Sequence, residues 1–98
     1  MPKIYVPREQ LAAFCRRHRI RKLAFFGSVL RDDFNPESDV DVLVEFENGA
    51  RVGLITLAAM ELELATLLGH KVDLRTPADL SRYFRDEVLQ AAEIQYAA

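Results

Sequence analysis

The chain has 98 residues, 50% of them hydrophobic and 29% charged, with a formal net charge of −2. That length allows one domain with a single modest core, and the balance is ordinary for a soluble globular chain. It argues against a broad grip on nucleic acid, which shows as a basic balance; no apolar run approaches the ~18 residues of a membrane span; and one cysteine, Cys15, rules out an internal disulfide or a thiolate metal site.

Met1-Pro2-Lys3 has no apolar signal core behind it, so a cytoplasmic location is expected. Pro7 suits the first turn of a helix. Leu11, Ala12, Phe14 and Cys15 then recur at helical spacing, fading near His18. Cys15 reads as a small core residue. Arg16, Arg17, His18, Arg19, Arg21 and Lys22 form a basic cluster. It reads as cations gathered at a helix C-terminus, with a docking patch for an acidic partner or nucleotide as the alternative. Residues 22–26 predict a short strand ending at Gly27, and 28–31 one helical turn. Residues 32–38 are turn-rich, with Asn35-Pro36 as strong punctuation. Residues 40–46 form the clearest strand, rich in valine. A long helix is predicted over 54–68, with Gly69 in its left-handed C-terminal position. A third strand follows at 71–75. Thr76-Pro77-Ala78-Asp79 resembles a capped helix start. A last helix is predicted from about 82 to 92, and residues 93–96 read as a fourth, edge strand or a frayed end. The order α-β-α-β-α-β-α predicts an α+β (mixed α/β) fold, a small mixed sheet with helices packed on it. With no repeat, low-complexity tract or linker, residues 1–98 read as a single domain.

The chemistry concentrates in two places. Strand side chains alternate between faces, so Asp39 and Asp41 project to the same side with Cα atoms about 6.5–7 Å apart. Paired catalytic metals lie about 3.5–4 Å apart, within reach of both carboxylates. Without a cation the two repel, and one tends to keep its proton. Mg2+ is the natural guest, since it takes hard oxygen ligands completed by water and phosphates. Asp73, between apolar neighbours on the third strand, either completes a carboxylate triad or is an edge-strand charge. In a triad it would ligate the metal and accept a proton from an attacking hydroxyl.

Gly27-Ser28 follows a strand. Glycine lets a ligand approach the backbone, and Ser28 offers a hydroxyl and exposed N–H groups that favour an anion. Arg31 lies one turn on and either reaches the same phosphates or pairs on the surface with Asp32 or Asp33. A calcium loop is rejected, because Leu43 stands where a third oxygen ligand is needed. His18 and His70 read as solvated or capping residues.

Taken together, Phe26-Gly27-Ser28-Val29-Leu30-Arg31, Ser38-Asp39-Val40-Asp41-Val42-Leu43-Val44 and Val72-Asp73-Leu74 resemble the minimal nucleotidyltransferases of the DNA polymerase beta-like superfamily, over nearly the whole chain. Ten residues separate Ser28 from Asp39, as in the family. The resemblance implies a nucleotidyltransferase fold. It also implies that Gly27 and Ser28 contact a triphosphate, and that Asp39, Asp41 and Asp73 bind two Mg2+ ions. It implies transfer of a nucleoside monophosphate, usually AMP from ATP, with pyrophosphate leaving. Many members are antitoxins beside a HEPN ribonuclease toxin, whose tyrosine receives AMP. The family often has a small residue before the arginine and glycine after it, where this chain has Leu30 and Asp32.

In that reading, residues of so short a chain hold the catalytic core, and a partner protein supplies the acceptor. Over 54–68, 11 of 15 residues are apolar. That width predicts a deeply buried central helix, with a homo-oligomer or a partner helix covering its outer side as the alternative. A non-catalytic module that neutralises its partner by occlusion is the rival function. Transfer to a small molecule is a third, for which no pocket domain is visible.

Overall fold

In the computed structural model, which describes residues 4–98, Pro7 caps the first helix, α1 (Arg8–Arg17), with an extended backbone. Met1, Pro2 and Lys3, where no signal core is read, lie outside the described residues. The chain continues through β1 (Ile20–Phe26), a 3-10 turn (Gly27–Leu30), β2 (Val40–Phe46), α2 (Leu54–Leu68) and β3 (Val72–Arg75). A second 3-10 turn (Pro77–Asp79), α3 (Arg85–Ala91) and β4 (Glu93–Ala97) complete it. Gly69 ends α2 at φ 71°, the left-handed geometry a glycine reaches without strain. The Thr76/Asp79 capping box is formed, but it opens a 3-10 turn rather than the last helix.

The four strands form one sheet in the order β3-β2-β1-β4. β1 runs antiparallel to both β2 and β4. β2 and β3 are parallel, which requires a crossover, and α2 supplies it. The C-terminal segment is therefore an edge strand beside β1, not a frayed end.

The two-residue strand period divides the sheet. Leu23, Phe25, Val40, Val42, Val44 and Val72 join the core with Leu11, Phe14 and Cys15 of α1 and Met60, Leu64 and Leu68 of α2. On the opposite face lie Phe26, Asp41, Leu43 and Asp73, one strand position out of phase with that core. The 3-10 turn at Pro77–Asp79 and α3 lie over this second face and flank its clefts.

One expectation is corrected. α2 is not deeply buried: it buries a single line, Met60, Leu64 and Leu68, while Leu54, Ile55 and Leu62 are 85%, 89% and 72% exposed. The sheet offers the helix one surface, and its outer side faces away from that surface. Five members of the basic cluster are engaged internally. Arg17 and His18 pair with Glu63 of α2, Arg19 with Glu47 at 3.6 Å, and Arg21 and Lys22 with Glu45 at 2.8 and 3.7 Å. Such solvent-facing pairs contribute about 0–1 kcal/mol each. Among the described residues no helix is long and apolar enough to cross a membrane.

Candidate functional site

The parallel pairing of β2 with β3 sets Val40 against Val72 and Asp41 against Asp73. Neighbouring strands lie about 4.8 Å apart, so the two carboxylates start side by side on the face away from the α1/α2 core. Asp39 stands one residue before β2, exposed, on the same side of the pleat as Asp41. Asp41 is half-buried. Burial pushes its pKa up, and the charges of Asp73 and Asp39 push it further, while Arg75 and Arg31 pull it down. A divalent cation beside these carboxylates would relieve that repulsion.

Gly27 serves Asp41 through its lack of a side chain. It follows directly on Phe26, which pairs with Asp41 across β1 and β2. Its φ is +75°, and a Cβ there would run into Asp41 Oδ2. The glycine therefore makes room for a carboxylate of the protein itself. Ser28 Oγ donates to the backbone carbonyl of Asp39 at 3.4 Å, tying the turn to the start of β2. Arg31 donates from Nε to Asp33 Oδ1 at 3.2 Å, the surface pairing that its neighbours offered. It also lines a cleft of about 290 Å³ with Phe26, Gly27 and the α3 residues Glu87, Val88 and Ala91.

A second cleft of about 260 Å³ contains Asp41 and Asp73, walled by Phe26, Leu80 and Phe84, with Arg75, Asp79 and Ser81 at its polar side. Phe26 borders both clefts. Asp41 and Asp73 thus open toward the segment after β3, and the cleft beside the Gly27 turn and α3 lies on the other side of Phe26.

Arg75 is a cleft side chain that motif reasoning did not single out. Its Nε donates to Asp73 Oδ1 at 3.1 Å and its Nη2 to Asp73 Oδ2 at 3.2 Å. Both carboxylate oxygens are engaged by one guanidinium. Among the described residues no three Asp, Glu, His or Cys side chains stand as a ready-made cluster for an ion. The signal was present as Asp73-x-Arg75, an acid and a base two residues apart on one strand face. The histidines lie elsewhere. His18 Nε2 is 2.9 Å from Glu63 Oε1, and the His70 ring centroid is 5.6 Å from that of Phe34. Burial pushes the Cys15 thiol up to about 12, so it is no nucleophile at neutral pH.

The chain matches the family model described as nucleotidyltransferase domain over residues 7–94. It is 33% identical over 76 residues to a provisionally named protein adenylyltransferase, MJ0435, of Methanocaldococcus jannaschii, covering 78% of this chain and 80% of that protein. A solved structure of a provisionally assigned minimal nucleotidyltransferase superposes with TM-score 0.70 at 38% identity, covering 87% of this chain and 85% of that one. A chain in the complex of a tri-AMPylated Shewanella oneidensis HEPN toxin with its MNT antitoxin superposes with TM-score 0.66, covering 93% of this chain and 70% of that one. At 18% identity that last likeness is one of fold.

Proposed function

This chain belongs to the nucleotidyltransferase domain family, among its minimal members, and from that premise we propose that it moves AMP from ATP to a hydroxyl of a HEPN-type partner protein, as the antitoxin of a cytoplasmic toxin–antitoxin pair. The observation that carries the reading is the parallel register of β2 and β3, which sets Asp41 beside Asp73 where Gly27 closes against Asp41. The relative named as a protein adenylyltransferase and the AMPylated HEPN toxin in a fold relative's complex support the choice of nucleotide and acceptor.

In this reading Asp39, Asp41 and Asp73 hold two Mg2+ ions, which supply charge neutralisation at the phosphates. Gly27, Ser28 and Arg31 line the side where the triphosphate lies, and Arg31 leaves Asp33 to meet it. The acceptor hydroxyl enters from the cleft walled by Leu80 and Phe84. Asp73 takes its proton as the oxygen attacks the alpha-phosphorus and pyrophosphate departs. Such chemistry depends mainly on positioning and charge stabilisation, so a small scaffold suffices. The acceptor comes from the partner.

One observation favours the rival, non-catalytic binding module: both oxygens of Asp73 are taken by Arg75. One experiment separates the two. The protein, its HEPN-type neighbour, labelled ATP and Mg2+ are incubated, and the Asp39→Asn/Asp41→Asn variant is run beside it. The expected result is a labelled adduct on the partner and none with the variant. Protection of the partner without any adduct selects the binding module. An adduct that persists in the variant removes the proposed site.

A further inference from the structure

We infer that Arg75 is a resident counter-ion for Asp73: it holds that carboxylate while the cation site is unfilled and must release it when a divalent cation binds, so that Arg75 sets the cation affinity of the site. The inference rests on the reading of Asp39, Asp41 and Asp73 as metal ligands.

The geometry that carries it is the two-pronged contact. A guanidinium donating from Nε and Nη2 matches the two oxygens of one carboxylate, and both donor distances, 3.1 and 3.2 Å, are in hydrogen-bonding range. Asp73 and Arg75 alternate along β3 and so project to one side. On that side Asp41 lies directly across from Asp73 in the neighbouring strand. All three border the same 260 Å³ cleft. An ion pair isolated on a surface would have no consequence beyond itself. Here a second carboxylate, Asp41, faces the same cleft as the pair.

Exclusion follows from the chemistry of the oxygens. Mg2+ binds carboxylate oxygen at about 2.0–2.1 Å along the lone pairs, and one lone pair of each Asp73 oxygen is already taken by a guanidinium prong. A cation also arrives against the full positive charge of an arginine, which does not deprotonate. An ion that takes the lone pairs on the guanidinium side therefore displaces Arg75 as it enters. Asp79, whose carboxylate borders the same cleft, offers the freed side chain a second anion.

The test measures ion binding to the nucleotide-free protein, independent of transfer. Mn2+ is titrated as a spectroscopic stand-in for Mg2+, with free Mn2+ read by electron paramagnetic resonance. Wild type, Arg75→Gln, Arg75→Lys and Asp41→Asn are compared. Removing a unit charge about 5 Å from an ion in a partly solvated cleft strengthens binding by roughly tenfold. Arg75→Gln is expected to lower the Mn2+ Kd by about that factor. Arg75→Lys, which keeps the charge and loses the two-pronged contact, is expected to lower it by about threefold and gives the reading if Arg75→Gln does not fold. Unchanged or weaker Mn2+ binding in these variants overturns the inference. Asp41→Asn serves as the separate control. If it weakens Mn2+ binding while the Arg75 variants do nothing, the site stands and the counter-ion role is lost. If Mn2+ binding ignores Asp41 altogether, the site reading fails and the inference falls with it.

Discussion

At position 27, backbone, sterics and chemistry impose the same demand. The φ of +75° costs a residue with a side chain about 1–2 kcal/mol, and a methyl group would be driven into Asp41 Oδ2. Gly27→Ala is therefore expected to lower stability by about 1–2 kcal/mol in urea melts and to cut the proposed adenylyl transfer by about a hundredfold, since small misplacements of a reacting group carry that penalty. An alanine variant with wild-type turnover would show that the position of Asp41 is unimportant. Asp41 itself makes a prediction with a definite sign. Its pKa is raised in the folded state above the ordinary 3.8. Between those two values the folded chain holds more protons than the unfolded one, so stability falls as pH rises through that window and stays lower above it. In metal-free buffer Asp41→Asn should thus melt at a higher temperature than wild type at pH 7. The advantage should disappear below the ordinary value, where both states are protonated. Melting curves against pH in EDTA check this. The motif residues were legible because their spacing is local. The role of Gly27 against Asp41 was not, because no local pattern shows which strand will lie beside the turn. Nor did Asp73-x-Arg75 reveal that its two members would grip one another rather than face separate partners.

Among the elements, β2 spans the predicted valine run and α2 ends where Gly69 predicts. Those signals are local, whereas the burial of α2 depends on how many layers cover it, which composition does not record. Eleven apolar residues in fifteen fit a buried helix equally well as a helix with one covered and one open side. Two leucines two positions apart distinguish these faces. Leu64 is fully buried and Leu62 largely exposed. Leu64→Ala is expected to cost about 2–5 kcal/mol and Leu62→Ala to stay within about 0.5 kcal/mol, both read from urea melts of the protein alone. A large cost at Leu62 would mean that the outer side is covered in solution by another copy. α3 starts later than its helical pattern suggests because Ser81 diverts the chain. The Ser81 hydroxyl accepts the Tyr83 N–H at 3.3 Å, and its carbonyl accepts the Phe84 N–H at 3.2 Å. A serine turn of this kind competes with helix locally, and here it also turns Phe84 into the carboxylate cleft.

For the whole molecule, the weakest inference from sequence becomes a structural necessity. Glu93-Ile94-Gln95-Tyr96 is too short to predict its own pairing, and only β1 decides it. β4 meets β1 at four positions, from Lys22 with Ala97 to Phe25 with Glu93. Tyr96 packs against the core, and Arg8 of α1 reaches Gln95 Oε1 at 2.7 Å. Ending the chain after Ala92 would strip one side of β1 and leave a row of unpaired backbone groups on a strand rich in apolar residues, which is an aggregation template. At about 0.5–1.5 kcal/mol for each net hydrogen bond, several such bonds plus the ring amount to a large part of a domain stability of about 5–15 kcal/mol. The truncated protein is expected to lose its cooperative melting transition or to elute as higher oligomers in size-exclusion chromatography with light scattering. A monomer with the wild-type melting temperature would make β4 dispensable. Asp41 and Asp73 lie on β2 and β3, on the far side of β1 from the cut. Any loss of Mn2+ binding on truncation should therefore track the loss of fold across a denaturant series and never precede it.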